Sequence, residues 1–186
     1  LRLEQGEIEE RARRSSPRIE ALARPAPLDL TAARSALDPG TALLTYAIGE
    51  KRSFLFVIEA EGASGPGLSL YPIAIDSQDL KREVEAFRGL LGRPDTLLAA
   101  LKERSRKLYD LLVRPAEPVL AKADRWLISS DGPLHSLPFA ALLSGDRYLA
   151  ESKPIHIVAS AAVYKELKAA RSQKASTTTW ISPPNT

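Results

Sequence analysis

The stretch Arg125-Trp126-Leu127-Ile128-Ser129-Ser130-Asp131-Gly132-Pro133-Leu134-His135-Ser136-Leu137-Pro138-Phe139-Ala140-Ala141-Leu142-Leu143 does most to limit what this chain can fold into. It opens as an apolar run of strand type, breaks at Asp131-Gly132-Pro133 and closes in a compact apolar turn after Pro138. Gly132 and Pro133 cannot continue a strand, so the chain must leave the sheet there. Leu134, Leu137, Phe139 and Leu142 are then expected to pack the exit segment back onto the core. The pattern predicts that Trp126 to Ser129 is an interior strand and that Phe139 is buried.

The flanking sequence supplies the rest of an α/β domain. Ala42 to Ile48 and Phe54 to Ile58 read as strands joined through Gly49-Glu50-Lys51-Arg52 into a hairpin. Leu44, Tyr46 and Ile48 line one face, Leu43 and Ala47 the other, and Phe54, Phe56 and Ile58 alternate with Leu55 and Val57. Both faces are apolar, which predicts a sheet covered on both sides. Leu68 to Ile75 reads as a third strand, at an edge because Pro72 lacks a main-chain donor.

Leu30 to Leu37 fits a short helix closed by Asp38-Pro39-Gly40. Ser77 to Leu91 is the clearest helix, with Leu80, Val84, Phe87 and Leu91 at helical spacing. Asp76 or Ser77 caps it, and Gly92 with Pro94 stops it. A second helix is expected from about Asp95 to Val113, with Leu97, Leu98, Leu101, Leu108, Leu111 and Leu112 inward and Pro115 ending it. Pro118 to Ala123 fits one or two further turns. Beyond the central stretch, Gly145-Asp146-Arg147 reads as a turn and Ile155 to Ala159 as another strand. Ser160 caps a helix through Ala170 with Val163 and Leu167 inward, and Thr177 to Ile181 has strand composition. The expected fold class is α/β, a mixed sheet flanked by helices.

Residues 1–24 are charge-rich, with Leu1, Leu3, Ile8, Ile19 and Leu22 too sparse for a strong core face. A frayed or partner-dependent helix is expected there, broken at Ser15-Ser16-Pro17 and ended by Arg24-Pro25-Ala26-Pro27. Arg11, Arg13, Arg14 and Arg18 follow Glu4, Glu7, Glu9 and Glu10, which makes a solvated, internally compensated helix rather than a nucleic-acid arm. Glu103 interrupts the second basic run, Lys102 to Lys107, in the same way. Lys+Arg 26 against Asp+Glu 23 leaves a formal charge of only +3, so no nucleic-acid partner is expected. The apolar runs fall well short of the roughly 18 residues a membrane span requires, and no secretory leader is legible. With no cysteine, the chain encodes no disulfide, thiolate metal site or cysteine nucleophile. A reducing compartment is allowed, and a cytoplasmic location is expected. Methionine is absent even from position 1, so a piece of a longer chain is expected.

Ser129, Ser130, Asp131, His135 and Ser136 crowd the central turn. A serine hydrolase draws its nucleophile, base and orienter from separate segments, and no Gly-x-Ser-x-Gly elbow is present. A capped turn, in which Asp131 and the serines satisfy backbone donors, fits better than a triad. His156 alternates with Ile155 and Ile157 in a strand and reads as structural. Two histidines without a carboxylate cluster do not make a metal site. Gly62, Gly65 and Gly67 lack the strand-to-helix setting of a phosphate loop. No catalytic, cofactor-binding or metal-ligating residue is assigned, and no cofactor is expected.

With these residues laid out, the chain resembles the N-terminal part of a CHAT domain, a relative of caspases and separase in clan CD. The resemblance runs from about Pro25 to Leu167. It rests on Leu37-Asp38-Pro39-Gly40-Thr41-Ala42-Leu43-Leu44-Thr45-Tyr46 before a strand pair and, most specifically, on Leu127 to Leu142, with Tyr148-Leu149 and Ala159-Ser160-Ala161 also fitting. It implies a charged helical linker over 1–27, a family that often carries helical repeats upstream, and a caspase-like domain portion over 28–186 truncated at its C-terminus. The family's catalytic pair is a histidine in a His-Gly context and a cysteine, both lying after the matched segments. Neither His135 nor His156 sits at a matching position. The resemblance therefore implies a supporting, non-catalytic half of a cysteine endopeptidase, inactive alone and completed by the C-terminal half or a protein partner. The alternative is a CHAT-derived interaction scaffold that cuts nothing. No membrane or nucleic acid enters either reading.

Overall fold

The computed structural model describes residues 26–93 and 97–177. The helix expected over 1–24 and the strand residues 178–181 lie outside the described residues.

Helix α1 (Leu30–Ala36) starts where the Asp29 carboxylate accepts the Ala32 N–H at 2.7 Å, supplying one of the acceptors a helix start lacks. The hairpin then forms from β1 (Thr41–Ile48) and β2 (Ser53–Glu59), and β3 (Leu68–Ile73) adds to β2. Helix α2 (Ser77–Leu91) is capped by Asp76, which accepts from the Gln78 and Asp79 N–H groups at 2.9 and 2.8 Å. Helix α3 (Leu98–Leu112) leads through a 3-10 turn (Arg114–Ala116) into α4 (Glu117–Leu120) and then β4 (Arg125–Ser129). The exit stretch folds as 3-10 turns over Gly132–Ser136 and Phe139–Ala141. The small hairpin β5 (Leu143–Ser144) and β6 (Arg147–Tyr148) follows, then α5 (Leu149–Ser152), β7 (Ile155–Ile157) and α6 (Ala161–Thr177).

The five-stranded sheet has the order β3-β2-β1-β4-β7, antiparallel in the hairpin and β3, parallel from β1 through β4 to β7. This is a mixed α/β sheet, and β4 is interior as its sequence predicts. One face is fully built: Leu44, Tyr46, Leu55 and Ile128 meet Val84 and Phe87 of α2 and Leu108 and Leu112 of α3 in the main core. Each fully buried side chain of this size stabilises the fold by about 1.5–3 kcal/mol. Leu134, Leu137, Phe139 and Leu142 all enter that core, so the exit segment packs back as expected.

The second face is covered only in part. Leu37, Leu43, Ala60 and Leu127 form a smaller core under α1 and α6. Towards the hairpin tip the same face continues through Phe56, opposite Leu70 and Thr45, and Phe54, opposite Pro72 and Ala47. There Phe54 and Phe56 are half-buried, Ala47 and Pro72 are exposed, and Leu68 and Leu70 are 41% and 54% exposed. Coverage on both sides thus holds for β1 and β4 near α1 and α6, and fails for the outer half of the hairpin.

Four further expectations are corrected. In α3 the buried stripe is Ser105, Leu108, Tyr109 and Leu112; Leu97, just before the helix, and Leu98, its first residue, are exposed, and Leu111 is only half-buried. Leu91, in the last turn of α2, is likewise exposed. The strands end at Ile73 and Ile157 rather than Ile75 and Ala159. In α6 Leu167 is 48% exposed, since that helix turns Ala161 and Tyr164 to the sheet, and Thr177 is its last helical residue rather than the first of a strand.

Candidate functional site

The central turn sits at the C-terminal ends of β1 and β4, where open α/β sheets hold ligands. Here the crevice is occupied by the chain itself. Gly132 takes φ of +52°, a left-handed geometry that glycine adopts without strain, and redirects the chain over the end of β1. Asp131 Oδ2 accepts the Ile48 N–H at 2.7 Å, and Oδ1 accepts the Gly132 N–H at 2.9 Å. Both carboxylate oxygens are committed to main-chain donors.

Two of the three serines are committed as well. Ser129 Oγ donates to Ala159 O at 3.0 Å, and Ser136 Oγ donates to Pro133 O at 3.1 Å. His135 is exposed on the outside of the turn, and none of these bonds joins it to a serine or to Asp131. Asp131 thus caps the turn as the sequence predicts, whereas Ser129 and Ser136 donate to main-chain carbonyls instead of satisfying the backbone N–H donors expected of them. His156 is exposed on β7, in register with Leu127. Among the described residues no three His, Asp or Glu side chains cluster as metal ligands.

A polar node not singled out from the sequence lies at the opposite end of the strands. Asp38, following α1, receives Arg125 Nη2 at 2.6 Å, Tyr164 OH at 2.9 Å and Lys168 Nζ at 2.6 Å. Arg125 also donates to Thr41 Oγ1 at 2.9 Å. Lys168, Arg125 and Tyr164, in that order, hold the Asp38 carboxyl well below the usual carboxylate range. Burial, then Asp38 itself, pushes the Tyr164 phenol up. The node joins α1, β1, β4 and α6, so its role is to fasten the second-face helices to the sheet. Gly40, at φ +73°, completes it: a Cβ there would lie 2.3 Å from an Asp124 carboxylate oxygen. The signal in the sequence was the Tyr164–Lys168 pair one helical turn apart, which has meaning only once Asp38 is beneath it.

A pocket of about 440 Å³ opens between α3, α4 and α5, lined by Tyr109, Pro118, Leu120, Trp126 and Leu149. Its polar groups are spent internally. Glu117 accepts from Tyr109 OH at 2.5 Å, and Lys153 donates to the Leu120 and Ala121 carbonyls at 3.2 and 3.0 Å and to that of Ala123. Burial and then Glu117 push the Tyr109 phenol up to about 12. Such a lining suits an apolar side chain and offers no acid–base pair for chemistry.

The exit turn, the interior strand before it and the helices around it point to one family. Residues 102–186 match the family model of the CHAT domain. That stretch, a little under half of the chain, is similar to part of a CHAT domain. The match begins within α3 and takes in β4, the exit turn, β7 and α6; the hairpin, with Leu37 to Tyr46, precedes it. None of the curated proteins matches the chain. The matched stretch supplies the interior strand and the turn at the sheet's C-terminal end. No described helix is long and apolar enough to cross a membrane.

Proposed function

We propose that this chain is the supporting, non-catalytic half of a CHAT-type, caspase-like cysteine endopeptidase. The observation that carries the reading is a CHAT match that takes in β4 and its exit turn, in a chain that encodes no cysteine. Peptide hydrolysis of this kind proceeds by thiolate attack on the scissile carbonyl, with a histidine taking the thiol proton and later giving it to the leaving amine. Both groups would come from outside these residues. This chain's contribution is rigidity: a packed sheet and a helix layer against which the catalytic half is positioned, since a reactive pair needs support to within about 0.5 Å.

Among the described residues β7 is the last strand of the sheet, which supports a role in completing a larger assembly. The Pro154 carbonyl and the Val158 N–H bond to β4. Parallel pairing uses alternate residues, so the main-chain groups of Ile155 and Ile157 face away from β4, where a further strand would pair. The test is reconstitution: the parent gene's continuation, expressed separately, should bind this chain, and its sequence should hold a His-Gly and a cysteine after a strand. A continuation lacking both would remove the peptidase reading.

A second reading, a CHAT-derived interaction scaffold, is favoured by the partly bare hairpin face with Phe54, Phe56, Leu68 and Leu70. It predicts a stable protein complex without turnover. Neither reading involves nucleic acid, a membrane or a cofactor, and a cytoplasmic setting fits both.

A further inference from the structure

We propose that the cavity between α4, the start of β1 and the loop after β2 binds one organic cation, a primary ammonium or a guanidinium on a short alkyl stem, with the Glu59 carboxylate as its anchor. The inference is independent of the peptidase reading.

Glu59 ends β2 on a face unsuited to a charge. Alternation along the strand puts its side chain on the face of Leu55 and Val57, which builds the main core, and the residue is 5% exposed. The carboxylate accepts the Gly67 N–H at 3.2 Å, its one side-chain hydrogen bond among the described residues. The loop main chain is drawn close against it. A Cβ on Gly65 would collide with both carboxylate oxygens, so that position favours glycine. Gly65 and Gly67 thus shape the loop around a carboxylate rather than a phosphate.

Among the described residues no cation answers this charge. Buried carboxylates are normally paired with a cation or hold a metal. Arg34 reaches the end of β2 from α1, and spends its donors on the Glu59 and Ala60 carbonyls at 3.1 and 3.5 Å. Lys122 lines the cavity, yet it is exposed and makes no ion pair among the described residues. Glu61 lines the cavity too, and Asp124 stands behind Gly40, so the local charge is acidic. A metal needs several ligands, and no three His, Asp or Glu side chains cluster among the described residues. An ammonium or guanidinium brings its own N–H donors and needs only one well-placed carboxylate.

The cavity measures about 240 Å³, and Ala42, Ala60, Ala63, Val119 and Ala123 line it beside Glu59. Small apolar walls suit an alkyl stem. The volume lies below the ~300–1,000 Å³ of sites for drug-sized ligands, which fits one head group with a few carbons. The same chemistry is carried by a free amine and by a lysine or arginine side chain of another protein, and the probes below separate the two.

The Gly67 amide, bonded to the carboxylate, is the reporter. The full 186-residue chain, isotope-labelled for NMR, is titrated at low salt with butylammonium, with N-acetylarginine methylamide and, as a neutral match, with butanol. The titrations are repeated in Glu59→Gln, which keeps an oxygen for the Gly67 N–H and removes the charge. The cation probes should move the Gly67 amide saturably, with half-saturation below about 10 mM. Affinity should fall at least about tenfold in Glu59→Gln, and butanol should not saturate. Tighter binding of butylammonium identifies a free amine as the occupant, and tighter binding of the arginine probe a protein side chain. No saturable shift with either cation overturns the proposal, as does equal affinity in Glu59→Gln or saturation by butanol. So does saturation that appears only in Lys122→Ala, because Lys122 is then the resident counter-charge.

Discussion

Asp131 accepts the Ile48 main-chain N–H at 2.7 Å, tying the exit from β4 to the end of β1 across 83 residues of sequence. This bond explains how a turn rich in serine, aspartate and histidine serves structure. The carboxylate that could have oriented a histidine instead closes the crevice between the two parallel strands.

Asp131→Ala removes both accepted bonds and leaves the half-buried Ile48 N–H without an acceptor. The expected loss is about 1–2 kcal/mol in urea unfolding. Asp131→Asn keeps one acceptor oxygen and should recover part of that loss. Equal stability of Asp131→Ala and the parent chain would count against the tie.

Phe139 is 2% exposed, and its ring lies 5.6 Å from that of Tyr46, whose hydroxyl donates to Leu112 O at 3.0 Å. Phe139→Ala empties an aromatic site at the centre of the main core and should cost about 3–5 kcal/mol. A loss below about 1 kcal/mol in a denaturant titration would contradict the packing of the exit turn.

What could be read in the sequence follows from which forces act locally. Ser77 to Leu91 was legible because Leu80, Val84 and Phe87 repeat at the period of their own helix and Asp76 caps it. The hairpin and β4 were legible because alternation and the Gly132-Pro133 break are properties of neighbouring residues. The inward face of α6 was not. Val163 and Leu167 are the more apolar pair, yet the helix is held by Tyr164 and Lys168 on Asp38, 126 residues from Tyr164 for the phenol bond. A charge node assembled from distant segments leaves no periodic trace. Likewise Leu97 and Leu98 stand exposed at the start of α3, and helical spacing alone does not say which turns of a helix meet the core. At the turn, the types and spacing of Asp131 and the serines suggested capping, while their partners Ile48 and Ala159 appeared only in the structure.

The Asp38 node makes stability fall in acid. Its carboxyl is held below its unfolded value, so the contribution is present above about pH 4 and is lost as pH falls through the depressed folded value. Glu83, lowered mainly by Lys107 and then Arg104 beside it, adds in the same direction. Asp38 is partly solvated, so Asp38→Asn should cost about 1 kcal/mol or less at pH 7. It should also flatten the stability profile between about pH 4 and pH 2. An unchanged acid profile in Asp38→Asn would refute the assignment.

In the run Lys102 to Lys107, Arg104 and Lys107 both bond Glu83, at 2.6 and 2.7 Å, and Arg106 bonds Asp146 at 2.8 Å. We expect no sub-micromolar DNA or RNA binding at about 150 mM salt. Tight binding with a steep salt slope would contradict this.

The most direct test of the central claim is turnover of a peptide library by the 186-residue chain alone and by the same chain with its parent's continuation supplied in cis or in trans. The account predicts no cleavage above buffer by the chain alone and nothing for a thiol alkylator to label in it. It predicts cleavage in the completed protein that alkylation abolishes. Cleavage by the purified chain alone, lost on Ser129→Ala or Ser136→Ala, would contradict it, as would a completed protein that binds its two halves tightly and cuts nothing.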